Sequence, residues 1–216
     1  MTLARTTRPR TAAAILALIL ALPGCGALSA LSGGPALDVF ELRAPDETPK
    51  SCGRGRRAEL VIEEPKARGT LDTERIMIRP NALQTQYLPD AQWGDTVPVT
   101  LQNLLVRSFS PYDAFTHVGR APLGTAGDFA LISEIRDFNA EVAGKGAIVR
   151  LSVDAQLVRE MDASVAARGS FSATATASST RTEDLIPAFD AAGRELLGQM
   201  TDWGLRGVGV NPAACR

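Results

Sequence analysis

The side chains that could perform acid–base or nucleophilic chemistry are few in this sequence, and they lie apart. Its single histidine, His117, follows Ser108 and Ser110 closely along the chain. A serine nucleophile needs a base within hydrogen-bond reach and a third group that orients that base. No GxSxG, HExxH, phosphate-binding glycine loop or dinucleotide motif accompanies these residues. We therefore expect a structural role for His117 and no catalytic residue in this protein.

The carboxylates and cysteines give no stronger sign of a catalytic or metal site. Glu134, Asp137 and Glu141 fall on one predicted strand, where they would solvate its outer face. Asp72 and Arg75 in LDTERI invite a site interpretation, but an aspartate before a strand more often accepts hydrogen bonds in a turn. The cysteines form no CxxC pair. We expect neither a metal ion nor a cofactor.

Three aromatic side chains are the candidates for a partner or ligand surface. They are Tyr87, Trp93 and Trp203, of which the two tryptophans are the only ones in the chain. Packing in the core or at its rim is the expected role of both tryptophans, and a ligand groove that uses them is the alternative.

The strongest chemical signal is a lipidation site at Cys25. Basic residues at Arg5, Arg8 and Arg10 precede an unbroken apolar run of 11 residues, 12–22, and then Pro23, Gly24 and Cys25. The run is shorter than the roughly 20 residues that span a bilayer. This pattern predicts cleavage before Cys25 and acylation of its thiol, palmitate being one such chain. An ordinary secretory signal with an incidental Cys25 is the alternative.

Composition limits what the exported part could do. Removal of residues 1–24 leaves 192 residues, enough for one domain, and changes the formal charge from −1 to −4. The short basic cluster at 54–57 is most simply a solvated turn, so nucleic acid is not an expected partner. Residues 26–37 are small and flexible and predict a linker, which places the folded domain at 38–216.

The first half of that domain reads as strands followed by one helix. The expected strands cover 39–43, 59–64, 75–79 and 83–88, with a turn at Asn81 and a loop at 89–94. Asp95 or Thr96 could cap the helix, Pro98 suits its first turn, and Pro111 ends it. Its apolar residues recur at helical spacing: Val97, Leu101, Leu104, Leu105 and Phe109.

The second half holds the longest predicted strands and a second helix. Strands are expected at 114–119, 128–142, 147–161 and 169–178, with Gly144 and Gly146 at the turn of a hairpin. Thr180 and Glu183 match a capping box for a helix whose apolar stripe reaches Trp203, and Gly204 would stop it. The predicted fold class is α+β, a mostly antiparallel sheet with two amphipathic helices packed on one face.

Two cysteines remain once Cys25 is lipidated. Cys52 and Cys215 lie at opposite ends of the domain, and an exported chain meets an oxidising compartment. We therefore expect a disulfide between them that ties the glycine-rich tail to the sheet. A buried thiol together with a free tail thiol is the alternative.

The order of these features resembles the ABC-type transport auxiliary lipoproteins, which include the lipoprotein components of paraquat-inducible and other MCE-type lipid transport systems. The resemblance extends over 38–203. Besides the Cys25 signal it is carried by LDTERIMIRP at 71–80, QYLPDAQWGDTVPVTLQNLLVRSF at 86–109 and AFDAAGRELLGQMTDW at 188–203. Cys52 and the tail that bears Cys215 depart from the family pattern.

The resemblance implies a non-enzymatic accessory of a lipid transport system. It would sit on the periplasmic side of the outer membrane of a Gram-negative bacterium, bridging towards the inner membrane. Its implied partners are an MCE-domain protein with an inner-membrane permease and an ATPase, and lipid is the implied cargo. The identity of that lipid, phospholipid as a ligand and self-association are left open. The alternative is an outer-membrane assembly lipoprotein, or a module that carries lipid itself. Neighbouring genes and extractable phospholipid would discriminate between them.

Overall fold

The fold is α+β, as the sequence predicts. The computed structural model describes residues 36–45, 48–53 and 57–216, and within these ranges nine strands form one sheet accompanied by two α-helices. The predictions for Cys25 and for residues 54–56 lie outside the described residues. Residues Leu37–Arg216 form one compact unit.

The elements follow one another in a simple order. The strands are β1 Asp38–Phe40, β2 Ala58–Ile62, β3 Lys66–Ala67, β4 Arg75–Asn81, β5 Gln84–Trp93, β6 Phe115–Gly119, β7 Phe129–Ala143, β8 Gly146–Arg159 and β9 Ser164–Ala177. The helices are α1 Val97–Phe109, between β5 and β6, and α2 Thr182–Gly207, after β9, and a 3-10 turn covers Pro212–Ala214.

The long strands β7, β8 and β9 form an antiparallel meander at the centre of the fold. β7 pairs with β8 along its whole length, and Gly144, at φ +62°, makes the turn between them. Every second residue of β8 from Ala147 to Leu157 is buried. This period of two identifies one buried face of the meander, which α2 covers through its contacts with β8 and β9.

The sheet is mixed, because the other edge of β7 takes parallel partners. β2, β3 and β4 pair with successive stretches of β7, and β5 and β1 continue the sheet beyond β4. Parallel neighbours need crossover connections, and here β5, α1 and β6 lie between β4 and β7 in sequence. The longest pairings are antiparallel, and the parallel ones join strands that are distant along the chain.

β5 is longer than the sequence predicts. The expected loop at 89–94 is instead the second half of this strand, which ends at Trp93. Pro89 falls where the register between β4 and β5 shifts, a bulge position at which a strand tolerates the missing N–H. Ala91 and Trp93 are both 1% exposed, so their burial against the core maintains the strand beyond Pro89.

Helix α1 has the predicted apolar stripe and bounds. Leu101, Leu105 and Phe109 are at most 2% exposed. Thr96 occupies the N-cap position, but its side chain makes no capping hydrogen bond.

Helix α2 differs from prediction at both ends. Arg181, not Thr180, is the N-cap residue, and the hydroxyl of Ser179 accepts a hydrogen bond from the Arg181 N–H and donates one to Asp184. Gly204 lies inside the helix, which continues to Gly207. No helix in the described part of the chain is both long and apolar enough to cross a membrane.

Candidate functional site

The serine and histidine side chains are engaged separately with the backbone. Ser108 Oγ donates to the Leu104 carbonyl at 2.7 Å and Ser110 Oγ to the Val106 carbonyl at 2.6 Å, as helix serines often do. His117 Nε2 lies 3.3 Å from the Ala121 carbonyl oxygen. These contacts leave no serine–histidine pair among the three side chains.

The carboxylates of β7 form ion pairs on the sheet face opposite α2. Glu134 pairs with Arg136 at 3.3 Å, and Glu141 pairs with Arg150 at 3.2 Å. Asp137 accepts a hydrogen bond from Ser152 at 2.7 Å. The arrangement solvates the outer face of the strand. In the described ranges no group of histidine, cysteine, aspartate and glutamate side chains is arranged to hold a metal ion.

The turn before β4 arranges its polar residues for structure. The backbone N–H of Asp72 donates to the Arg68 carbonyl at 3.1 Å, and Thr73 Oγ1 accepts from the Arg75 N–H at 3.2 Å. The Arg75 guanidinium lies over the Tyr87 ring, 4.8 Å from its centre. The Tyr87 hydroxyl donates to the Thr70 carbonyl at 3.0 Å, which fixes this half-buried ring beside the turn.

Trp93 is a core residue, which corrects its assignment to a partner or ligand surface. It is 1% exposed and packs edge-on against Phe138 and Phe189, with ring centres 5.9 and 5.2 Å away. The alternation of β5 directs Trp93 to the helix-covered side of the sheet. A partner cannot reach its ring in this arrangement.

Trp203 is half-buried and lies beside the last strand of the sheet. Its ring packs edge-on against Phe171 of β9, with ring centres 5.2 Å apart. Gly169 keeps this position open, because a Cβ built there would lie 2.4 Å from the Phe171 ring and 3.2 Å from Trp203 Nε1. Of the three aromatic candidates, Trp203 combines accessibility with a neighbouring aromatic side chain.

Cys52 and Cys215 come together at the C-terminus. Their sulfur atoms are 2.13 Å apart and their Cα atoms 3.9 Å apart. Ser51 and Arg216 exchange two backbone hydrogen bonds, at 2.7 and 2.9 Å. Asp113 accepts from the Cys52 N–H at 2.7 Å, which lowers the pKa of its carboxyl group together with the Ser51 hydroxyl. The segment around Cys52 therefore holds the C-terminal tail by backbone hydrogen bonds as well as by the disulfide.

An ion pair between the exposed Arg43 and the buried Asp190, which the sequence reasoning missed, joins the residues after β1 to α2. Asp190 is 7% exposed and accepts hydrogen bonds from the Arg43 guanidinium at 2.6 and 3.2 Å and from the Arg43 N–H at 3.2 Å. Arg194 approaches the same carboxylate at 3.3 Å. The Arg43 side chain is the main cause that holds the pKa of Asp190 below its ordinary value. Asp190 falls within the apolar stripe of α2, where a lone acidic residue indicates a hydrogen-bonding partner on another element.

A charged groove crosses the open face of the sheet from β3 to β9. It has a volume of about 620 Å³ and is lined chiefly by polar and charged residues: Lys66, Glu134, Arg136, Asp154, Gln156, Arg168 and Ser170. Arg136 donates to Asp154 at 2.7 Å, and the Ser170 hydroxyl and Arg136 lower the pKa of Asp154. These groups suit recognition of a polar surface.

Comparison with known families identifies a match across most of the domain. The family model described as ABC-type transport auxiliary lipoprotein component matches residues 40–201. This range begins in β1 and ends in the last turns of α2.

Individual relatives are more distant. An uncharacterised protein of Bradyrhizobium diazoefficiens is 28% identical over 179 residues, which is 79% of this chain and 46% of that protein. The chain thus spans about half the length of this curated relative. A crystal structure of a Xanthomonas campestris protein has a TM-score of 0.65 at 24% identity, covering 80% of this chain and 94% of the other. A second crystal structure, of an uncharacterised protein, has a TM-score of 0.60 at 14% identity, covering 77% and 97%. These structures share the fold.

Proposed function

Because this chain belongs to the family of ABC-type transport auxiliary lipoprotein components, we propose that it is a non-enzymatic docking component of an MCE-type lipid transport system. In this proposal the folded domain binds an MCE-domain protein that an inner-membrane permease and an ATPase serve. The cargo is phospholipid moving between the two membranes of a Gram-negative envelope. The lipoprotein holds its end of the assembly at the outer membrane.

The observation that carries the proposal is the family match over residues 40–201, which covers nearly all of the described domain. The side chains that could perform chemistry support a role without catalysis. Ser108 and Ser110 donate to helix carbonyls, and His117 contacts a backbone carbonyl. The outer face of the sheet instead presents paired charges, of the kind found at the polar rim of a protein interface.

Anchoring through Cys25 is the second part of the proposal. Acylation of the thiol and of the new amino terminus would supply the several chains that stable membrane attachment requires. Gly26 follows Cys25 where an aspartate would favour retention at the inner membrane under enterobacterial-type sorting. We therefore place the protein at the periplasmic leaflet of the outer membrane.

Replacement of the lipidated residue tests this anchoring. Cys25→Ala should move the protein from the outer-membrane fraction to the soluble fraction or leave it uncleaved. Density-gradient fractionation with immunodetection measures the distribution. Gly26→Asp is the matched variant. It keeps the thiol, so the protein should remain membrane-attached but move from the outer-membrane to the inner-membrane fraction. Retention of the Cys25→Ala variant at the outer membrane would show that the domain attaches by other means.

Partner capture tests the docking role. Cells expressing the tagged full-length chain are crosslinked, their envelopes are solubilised, and the captured proteins are identified by mass spectrometry. An MCE-domain protein, a permease and an ATPase should be enriched over a tagged lipoprotein of another family. Enrichment of outer-membrane assembly proteins without any ABC component would favour the alternative function. Genes for the three expected partners beside this one would agree with the proposal.

Lipid extraction distinguishes docking from carriage of lipid by the domain itself. The groove on the open sheet face is lined chiefly by charged and polar side chains, which do not match two acyl chains. Purified domain, extracted with organic solvent and analysed by mass spectrometry, should release much less than one phospholipid per chain. A stoichiometric yield would mean that the domain carries the cargo.

A further inference from the structure

The last strand of the sheet has an unusually long free edge. Within residues 36–45, 48–53 and 57–216, β9 pairs only with β8, through 13 residue pairs; its one irregularity in register, between Val165 and Ala167, lies near the start of the strand, and the stretch from Arg168 to Ala177 is regular. The other edge strands are short, with three residues in β1 and five in β6. Proteins commonly protect sheet edges with short strands, prolines, lysines or bulges. β9 contains no proline or lysine, and Arg168 is its single charged residue.

One side chain shows which backbone groups point outward from this edge. Gln199 Nε2, on α2, donates to the Ser172 carbonyl at 3.2 Å. Carbonyl groups alternate in direction along a strand, so those of Ser170, Thr174 and Thr176 point the same way as that of Ser172. Their N–H groups point outward with them. The edge therefore offers a ladder of donors and acceptors, of which Gln199 occupies one acceptor.

The two sides of the edge differ in chemistry. On the helix side Phe171 and Trp203 form a half-buried aromatic pair. On the open side lies Arg168, which is exposed and has no ion-pair partner among the residues that the structure describes. The acids of the groove, Glu134 and Asp154, are both paired with Arg136. Arg168 is the one charged side chain that β9 itself places at this edge, and with Lys66 and Arg136 against Glu134 and Asp154 the charges lining the groove sum to +1.

We infer that β9 receives an extended, acidic segment of a partner protein as an additional antiparallel strand. The partner's backbone completes the outward hydrogen bonds from Arg168 to Thr176. A carboxylate on its open side pairs with Arg168, and an apolar side chain on its other side packs on Phe171 and Trp203. Strand addition of this kind draws affinity from the main chain and specificity from alternate side chains. The inference rests on the proposed docking role for the existence of a partner.

A synthetic strand tests the inference on the full-length protein purified in detergent. The probe is a fluorescent ten-residue peptide that alternates threonine and valine and has one central aspartate in place of a threonine. It should bind with a fluorescence-anisotropy change, shift the emission of Trp203 to the blue, and slow amide exchange of residues 168–176. Trp93 is 1% exposed and gives a constant background. Trp203→Phe should remove the emission shift. A peptide N-methylated on its bonding edge should not bind.

A pair of substitutions at one position isolates the backbone contribution. Thr174→Pro removes one outward N–H, at a place where edge strands tolerate proline, and should weaken peptide binding by about tenfold or more. Thr174→Val keeps the N–H and should bind within about twofold of the parent. Circular dichroism checks that both variants fold. If either does not, slowed amide exchange of residues 168–176 in the parent protein still tests whether the peptide binds at β9.

The charge prediction has its own comparison. A peptide with lysine in place of aspartate should bind about five- to tenfold more weakly, and Arg168→Glu should reverse that preference. Equal binding of the aspartate and lysine peptides would contradict the prediction that the partner segment is acidic. Absence of binding at millimolar peptide would contradict strand addition at β9. Equal binding by Thr174→Pro and the parent protein would contradict it as well.

Two further outcomes separate this inference from its premise. Self-association that Thr174→Pro abolishes, seen by analytical ultracentrifugation, would assign the edge to a second copy and overturn the partner strand. Capture of the three transport components in the same amount by the parent and Thr174→Pro would overturn the inference and leave the docking role intact. Failure of the parent itself to capture them would overturn the docking role whatever the peptide does.

Discussion

Asp190 is the residue whose burial most clearly requires a partner. It lies on the core side of α2, and Arg43 supplies both a bidentate contact and a backbone N–H. A buried carboxylate without such donors would be costly, whereas one with them attaches the segment after β1 to the last helix. This attachment matters because the predicted linker to the membrane precedes that segment.

Asp190→Asn should lower the free energy of unfolding by about 2 kcal/mol at neutral pH, since it removes a charged hydrogen-bond acceptor. The wild-type pKa of this carboxyl is lowered, so its stabilising effect is present above the unfolded pKa of about 3.9 and is lost as the pH falls through the folded value. Urea unfolding at several pH values should therefore show the two proteins converging in acid.

Asp202→Asn is the matched control on the same helix. Asp202 pairs with Arg206 at 3.6 Å on the exposed surface, where such pairs contribute little. We expect a change within about 0.5 kcal/mol. A difference between wild type and Asp190→Asn that stays constant through the acid range would contradict the electrostatic account.

Gly204 shows that a glycine near a helix end need not be its stop. A Cβ built at this position would lie 2.6 Å from Cζ of Phe109, which is 0% exposed. The residue therefore permits close contact between α2 and α1. In sequence this glycine matches a C-cap signal, and only the position of the other helix reveals its packing role.

Gly204→Ala should destabilise the domain by about 1–2 kcal/mol. The gain in helix propensity, about 1 kcal/mol, is outweighed by overpacking against a buried ring. Gly198→Ala on the same helix is the control, because nothing lies within 4 Å of its added Cβ, and it should stabilise by up to about 1 kcal/mol. Thermal unfolding of both variants gives the comparison. Stabilisation by both would mean that the helices separate easily at Phe109.

At the scale of elements, the long strands β8 and β9 and the helix α2 form the main packing unit. Leu196 and Leu197 of α2 are each 1% exposed, as the sequence predicts for this face. The contacts of α2 are mainly with β9 and β8. The alternating alanines of β9 leave a shallow surface on which the helix lies.

Leu196→Ala and Leu197→Ala should each cost about 2–5 kcal/mol, because each leaves a cavity in this unit. Leu83→Ala is the control: Leu83 is 98% exposed at the tip of the β4–β5 hairpin, and its loss should change stability by less than about 0.5 kcal/mol. Chemical unfolding monitored by circular dichroism measures all three. Costs below about 0.5 kcal/mol at both buried leucines would contradict the packing seen here.

Local signals in the sequence predict the elements better than their pairing. The bounds of α1 follow from its apolar period and from Pro98 and Pro111, and Gly144 marks the central hairpin, because these signals act through the local backbone. Pro89 predicts that β5 ends before Trp93. The strand continues to Trp93 because burial of that side chain in the core stabilises it. The parallel pairing of β4 with β7 depends on tertiary contacts between residues 62 positions apart, such as Ile78 and Ala140.

The sequence indicates some residues of the candidate surface at β9 but not their contacts, because those contacts are tertiary. Trp203 and the threonine-rich strand before it are visible as an aromatic residue and an uncharged alternation. Their contact through Phe171 depends on where α2 crosses the sheet. Arg43 and Asp190 are 147 residues apart, and no local pattern pairs them.

At the scale of the whole molecule, the structure joins the two ends of the domain. Cys52 and Cys215, 163 positions apart, meet beside the two backbone hydrogen bonds of Ser51 and Arg216. On the chain-entropy account a bridge over so long a loop contributes about 5 kcal/mol, before native strain and residual unfolded structure reduce it.

Thiol titration of the denatured, non-reduced protein should find neither Cys52 nor Cys215 reactive. Cys215→Ser should lower the melting temperature about as much as a reductant lowers that of the parent, because both remove the same constraint. Ser51→Ala is the control, which changes a side chain at this junction and keeps the backbone bonds. Two reactive thiols would mean that the cysteines stay reduced in the envelope.

The bridge also makes a covalent ring of most of the domain, with the membrane anchor predicted outside it. A protease that cuts once between Cys52 and Cys215 opens the ring without releasing a fragment, so the products migrate together until the sulfur bond is reduced. An exposed hairpin such as that of Leu83 can then be nicked while every part of the chain stays attached to its anchor. In the envelope position proposed above, one cut in an exposed loop would leave both parts of the domain attached to the membrane instead of releasing one of them.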